Sequence, residues 1–308
     1  MFEGVISGLT QGLEAADATR RLVFNDKELF LYPVMIIAAA LAVGIVVFGS
    51  LLLSGHINLL TVSLAFLVFY FIVAFISTYF LVAMLINFGS FLENKRIGIA
   101  ASFKRANQYL HLILFWAVFY FAVMVVIMII ENIIRNVLGN FIGGIIDAII
   151  SIAFTVMTLF SVPIIVEDQV GPIEATKRSI KFIKDHFLQT FAGFVYNEII
   201  HLVLVIFGVM LLVAAALLSG NYLTISIFLF VLGLLFIVVG RLIYYVLFNC
   251  FKLIVYNYYT GKRTLPDGFT KQLIEGSVKN KKKSSAGASG GIINSPNNPF
   301  MPGNNGNI

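Results

Sequence analysis

The sequence predicts an all-α protein, a polytopic membrane bundle of six transmembrane helices, and three observations carry the prediction. Hydrophobic residues make up 59% of the 308 positions and charged residues 12%, with a mean hydropathy of +0.96. A water-soluble domain needs about 25% charged residues to cover its surface, so the solvent of this chain is largely hydrocarbon. Apolar residues also run nearly unbroken over the length of a bilayer crossing, as in VFYFIVAFISTYFLVAMLI. Transmembrane strands would alternate instead, which excludes an outer-membrane barrel. Finally, all but Arg135 and Arg241 of the 21 Lys and Arg lie before the first apolar stretch, after the second, after the fourth, or beyond the sixth.

About 20 helical residues cross the roughly 30 Å hydrocarbon layer. Residues 1–30 are expected to form a cytoplasmic amphipathic segment, with Phe2, Val5, Ile6, Leu9 and Leu13 opposite Glu3, Thr10, Glu14 and Asp17. Its acidic polar face favours packing on the protein's own cytoplasmic loops over contact with anionic lipid. The charges of this segment, with no apolar run before Leu31, do not fit a secretory signal, so the first span is expected to direct insertion. The six-helix domain covers residues 31–260, with spans at 31–53, 59–88, 110–130, 141–166, 191–218 and 223–251. Gly44, Gly208, Gly233, Gly240 and Pro163 fall inside spans, where membrane helices tolerate them and pack closely at the glycines. Residues 261–308 read as a basic, low-complexity, disordered cytoplasmic tail, with Lys281, Lys282 and Lys283 placed for anionic headgroups. The positive-inside rule puts both termini on the cytoplasmic side of the cell (plasma) membrane.

Two basic connections echo one another. GIAASFKRA begins at Gly98 and GPIEATKRS at Gly171; TGKRTLPDGF after the sixth span is a fainter copy of ENKRIGIA. Three related hairpins would give this pattern, and so would the positive-inside rule alone. From Gly171 onward, Pro172 and Glu174 suit a helix start and Lys181 and Lys184 its end. Ile173, Ile180, Ile183 and Phe187 share a face, with Lys177, Arg178, Lys181 and Lys184 over the rest. This is either an interfacial helix contacting lipid headgroups or a solvated basic connector.

Charges inside spans cost about 2.5–3.5 kcal/mol at mid-helix and are suspected sites by default. Glu198, His201 and Arg241 sit at comparable depth on the last two spans, and a Glu198–Arg241 pair is expected. The trio is either a polar site for an ion, proton or anionic substrate, or a buried bridge that fixes helix register. Glu198 and His201 also form Glu-x-x-His, but a carboxylate metal bundle needs a second such motif and further glutamates, and His56, His111 and His186 have no glutamate three positions earlier. No metal or cofactor is expected. Glu131 and Asp147, near Arg135, could line an outer vestibule or simply be solvated at the interface. The single cysteine, Cys250, reads as a small apolar helix residue.

NDKELFLYP from Asn25, VPIIVEDQVGPIEATKRSIKFIKDHF from Val162 and YNYYTGKRTLPDGFTKQL from Tyr256 occur in order. Together they resemble an uncharacterised family of six-helix prokaryotic membrane proteins, the domain-of-unknown-function family numbered 6159, over roughly residues 10–275. More distantly the chain resembles membrane domains named after glycerophosphodiester phosphodiesterases. The resemblance implies the six-helix fold and a membrane address, and no activity. His186-Phe187 departs mildly from the aromatic expected after the interfacial helix.

No GxSxG elbow, HExxH helix, Walker loop or Rossmann fingerprint is present, and no loop could hold a hydrolytic domain, so an enzyme is not expected. Nucleic acid is not an expected partner either, since the basic residues follow topology. Two functions stay open: a non-catalytic scaffold whose partners are membrane lipids, with or without homo-oligomer formation, and a small-solute or ion transporter using Glu198, His201 and Arg241.

Overall fold

The computed structural model describes residues 2–263 and 265, except His56 and Asn221, with side chains from residue 4 onward. The tail beyond, with Lys281, Lys282 and Lys283, lies outside the described residues. All regular structure among them is helical. Five helices are long and apolar enough to cross a membrane: Lys27–Ser54, Leu59–Leu92, Ile99–Asp168, Phe187–Leu218 and Leu223–Thr260.

Helix α1 (Phe2–Asn25) leads through a short 3-10 turn (Lys27–Phe30) into α2 (Leu31–Ser54). A left-handed cap at Gly55 ends α2, and Asn58 and Thr61 form a reciprocal capping box that starts α3 (Leu59–Leu92). The short α4 (Ile99–Ala106) then precedes α5 (Leu110–Thr158).

Six apolar stretches were expected and five long helices are found, because the expected third and fourth fall within one continuous element. That element is not straight. Gly139 has φ 79° and ψ 166°, a conformation that residues with a Cβ rarely adopt. Beyond it the chain doubles back: the rings of Tyr120 and Phe154 are 5.4 Å apart, whereas 34 residues of straight helix would separate them by about 50 Å. Arg135 donates to Asp147 and Ser151 Oγ to Glu131 at 3.4 Å, which fastens the two arms near the reversal.

After α5 come α6 (Ser161–Asp168) and α7 (Pro172–Asp185). The last two elements, α8 (Phe187–Leu218) and α9 (Leu223–Thr260), form the closest helix pair. Their backbones meet at Gly208 and Gly233, where a Cβ on either would lie 2.8 Å from the other's carbonyl oxygen. Small residues at such a crossing let dispersion contacts replace lipid contacts.

The buried core does not sit at the middle of the spans. The most apolar stretches of Lys27–Ser54 and Leu59–Leu92 hold no buried residue. Continuous burial appears instead at one end, over 82–90 of α3 and 249–257 of α9, with Phe160, Ile164, Ile165, Ala175, Phe182, Leu29 and Tyr32 packed among them. This is the end that carries the basic connections. Helix length explains it. The 34 residues of α3 and 38 of α9 measure about 51 and 57 Å, well beyond a 30 Å hydrocarbon layer. The surplus is buried by protein.

Helix α1 differs from expectation in the face it buries. Gly8, Gly12, Ala15, Ala16, Thr19 and Val23 are covered, whereas Val5, Ile6 and Leu13 stay exposed. It packs on the start of α8 and the end of α9 rather than on loops: a Cβ at Gly12 would fall 2.3 Å from the Gln189 carbonyl. Close approach selected the small residues, and hydrophobicity alone could not reveal that.

Replacing Gly208 by Val should lower unfolding stability in detergent by about 1–3 kcal/mol through overpacking against α9. Gly44→Ala, whose Cβ would meet Phe69 at an ordinary 3.4 Å, should be nearly neutral. Equal thermal or SDS unfolding curves for the two variants would contradict the α8–α9 packing.

Candidate functional site

The densest polar arrangement lies at the basic end, where α6 finishes on Glu167 and Asp168. Both side chains are only 4% exposed. Burying two adjacent carboxylates needs matched cations and hydrogen bonds. Arg263, just after α9, donates its Nε to Glu167 Oε1 and Oε2 at 2.8 and 2.9 Å and its Nη1 to Glu93 Oε1 at 3.0 Å. The guanidinium crosses α3 at Gly89, where a Cβ would stand 2.8 Å from Nη1. Asn257 Nδ2 adds a 3.3 Å bond to Glu167. Asp168 Oδ2 receives Arg178 and the Tyr256 hydroxyl, the latter at 2.9 Å, while Lys262 lies 3.3 Å from Oδ1. Arg178 also donates to Glu174 at 2.8 Å, and these two carboxylates raise its pKa. One lattice thus ties α3, α6, α7 and the end of α9.

The two echoing segments that follow α3 and α6 share backbone geometry. Gly98 (φ −70°, ψ 167°) and Gly171 (φ −69°, ψ 166°) are extended N-caps of α4 and α7. Four and eight positions on, each helix buries small residues: Ser102 and Ala106 in one, Ala175 and Ser179 in the other. Their arginines reach back similarly, Arg105 to Ser90 Oγ at 3.2 Å and Arg178 to Asp168. On α7, Lys177, Lys181 and Lys184 are exposed, with Ile173 and Ile180 exposed beside them; Ile183 is buried. Arg178 is therefore held by carboxylates, and the three lysines remain open to a ligand.

The expected Glu198–Arg241 ion pair is not among those of the described residues. Glu198 Oε1 lies 3.1 Å from Nδ1 of His201, its neighbour one helical turn on. Arg241 is exposed and lies over the Tyr244 ring at 5.5 Å. Tyr244 is also 5.1 Å from the His201 ring, so the four residues share one face of α8 and α9. The carboxylate that was expected to face Arg241 is instead beside a histidine of its own helix. Asp147, read as a vestibule residue, is engaged by Arg135 and 9% exposed; Glu131 takes the Ser151 hydroxyl. Cys250 is buried and free. Among the described residues no group of three or more His, Cys, Asp or Glu is placed to hold a metal ion.

Sequence reasoning missed Glu93, Glu167, Asp168 and Arg263. Their signal was present as VED and TGKR within the recognised phrases, but the Glu167–Arg263 partners stand 96 positions apart.

At the junction of α7 and α8, His186 stacks on Tyr259 at 3.9 Å and meets the Phe182 ring at 4.8 Å in a tilted contact. Burial lowers its pKa, against the opposing pull of Asp185. On α1, burial disfavours the Asp17 carboxylate, but hydrogen bonds from Tyr196, Arg20 and Arg21 outweigh it, and the pKa falls.

Apolar spans, a polar lock at one end and an exposed basic rim define a helical membrane protein. Residues 56–265 match the family of unknown function DUF6159, and the chain belongs to that family. Neither the curated proteins nor the solved structures contain a match.

Arg263→Met should cost about 3–5 kcal/mol, because Glu167 would be left buried and uncompensated; Lys262→Met, whose ammonium is 45% exposed, should cost under 1 kcal/mol. Detergent unfolding of both variants checks the ordering. The depressed His186 pKa means that protonation favours the unfolded chain. Its contribution is therefore complete above the unfolded value of about 6.5 and declines as pH falls toward the folded value. His186→Phe should flatten the stability profile as pH falls below about 6.5, and an unchanged slope would show that another group sets it.

Proposed function

We propose that the chain is a six-span protein of the cell membrane, with both termini and the basic end cytoplasmic, and that it acts as a non-catalytic scaffold holding anionic lipid at that face. The arms 110–138 and 140–158 of α5 count as two spans, which gives three hairpins: α2–α3, the α5 pair and α8–α9. The observation that carries the reading is the division of charge at the basic end. Glu93, Glu167, Asp168 and Glu174 are held in internal ion pairs there, while Arg96, Lys104, Lys177, Lys181 and Lys184 stay exposed. On α7 the exposed Ile173 and Ile180 alternate with Lys177 and Lys184 along one stripe, the pattern of a helix set at the acyl–headgroup boundary. Each exposed lysine near an anionic surface is worth about 1 kcal/mol.

A second reading, a small-solute or ion transporter, rests on Glu198, His201 and Arg241, which place charge inside the α8–α9 hairpin.

In nanodiscs of mixed zwitterionic and anionic lipid, the Lys177→Ala/Lys181→Ala/Lys184→Ala triple variant should retain fewer anionic lipids by native mass spectrometry, with its fold intact. Proteoliposomes should show no solute or ion flux above empty vesicles. Equal lipid retention would sink the scaffold reading, and flux abolished by Arg241→Met would establish the transporter.

A further inference from the structure

Beyond the basic end the α8–α9 hairpin stands largely by itself. On α8, Leu202, Val203, Ile206, Val209 and Met210 are exposed, and on α9 so are Val231, Leu234, Leu235 and Val238. One face of it is polar: Glu198 and His201 from α8, Arg241 and Tyr244 from α9. Within one chain this face is incomplete. Among the described residues no carboxylate comes within ion-pair range of Arg241, and the Glu198 side chain keeps 29% of its surface exposed beside a histidine. An arginine facing hydrocarbon without a carboxylate is costly at mid-membrane. Its guanidinium leans toward the basic end, over Tyr244, which brings it to the level of His201 and Glu198.

We infer that a second copy of this chain covers the face, with Glu198 of each copy bridged to Arg241 of the other. Two copies inserted with the same topology can be related only by an axis along the membrane normal, and such an axis preserves depth. A self-complementary pair must therefore carry its opposite charges at one level on one face, and the face of α8–α9 does. The apolar residues flanking it, Phe194, Leu202, Leu234 and Val238, are exposed and supply the packing surface around two guanidinium–carboxylate bridges. The α8–α9 pair is positioned for this because Gly208 and Gly233 bring the helices together, so that Glu198 and Arg241 project from a single rigid unit.

The test is complementation in mixed assemblies. Full-length Glu198→Gln and Arg241→Met chains, differently tagged, are reconstituted separately and together in bilayers, and dimer fraction is read by single-molecule photobleaching over a range of protein-to-lipid ratios. Each variant alone has two half-broken bridges and should dimerise about tenfold less tightly per bridge than the parent chain. A mixed pair keeps one bridge whole and has two neutral groups at the other, so mixing should restore heterodimers above either homodimer. Pairing within one chain would give no such gain. As a check independent of those substitutions, Leu202→Cys in a Cys250→Ala background should form an intermolecular disulfide under mild oxidant. Parent chain that stays monomeric at every ratio, no gain on mixing, or a monomer that instead retains anionic lipid through Arg241 overturns the inference.

Discussion

Glu167 and Asp168 place two negative charges side by side where almost no water reaches them, and the rest of the architecture is arranged around that fact. Each could be neutralised locally by one cation, yet the cations come from two separate parts of the chain: Arg178 on α7, and Lys262 and Arg263 after α9. Because Arg263 also binds Glu93 at the end of α3, its guanidinium bridges the ends of α3 and α6. Desolvated carboxylates tolerate little misplacement of their partners. The lattice therefore fixes where α3, α6, α7 and α9 end relative to one another, and the lipid-facing parts inherit their positions from it.

Packing follows the same division. In a bilayer the lipid tails are as apolar as Leu or Phe, so no hydrophobic gain comes from pressing one span on another. The mid-portions of α2 and α3 accordingly bury nothing. Water restores the drive as soon as the helices outrun the hydrocarbon. In the proposed orientation the surplus length of α3 and α9 lies on the cytoplasmic side, and there Phe88, Leu92, Leu247, Phe251 and Ile254 become fully enclosed. The buried core thus lies at one end, and the apolar helices extend from it. Contacts along the apolar stretches include places where small residues permit backbone approach, as at Gly208 and Gly233, and places where rings interlock, as with Phe71 and Phe121.

What could be read from the sequence was what hydrocarbon imprints on composition. Helical class, the limits of the apolar stretches and the start of α7 at Pro172 all follow from hydropathy and capping. Gly139, where the backbone leaves helical geometry, lies in the gap between two of the expected apolar stretches. Long-range pairing was not legible. Counting residues along the spans put Glu198 and Arg241 at comparable depth and suggested a pair, but a count says nothing of where each side chain turns, and Glu198 lies beside His201. For α1 the loudest signal, its large apolar residues, marked the exposed face; the buried one consists of glycines and alanines whose value lies in what they leave out.

The same point bears on why the basic segments after α3, α6 and α9 look alike. The positive-inside rule explains the presence of lysine and arginine there, and nothing about their partners. The geometry is more demanding. Gly98 and Gly171 adopt the same extended cap, the residues four and eight positions later are small and buried, and Arg105 and Arg178 turn back on the helix they follow. A topological rule acting on charge alone would leave such caps and burial patterns to vary independently. Their agreement means that the segments beginning at Gly98 and Gly171 solve one problem, carrying the chain from the end of one element to the start of the next long helix. The first part of each turn is spent on protein contacts, so the exposed lysines of α7 are those left after the lattice is satisfied.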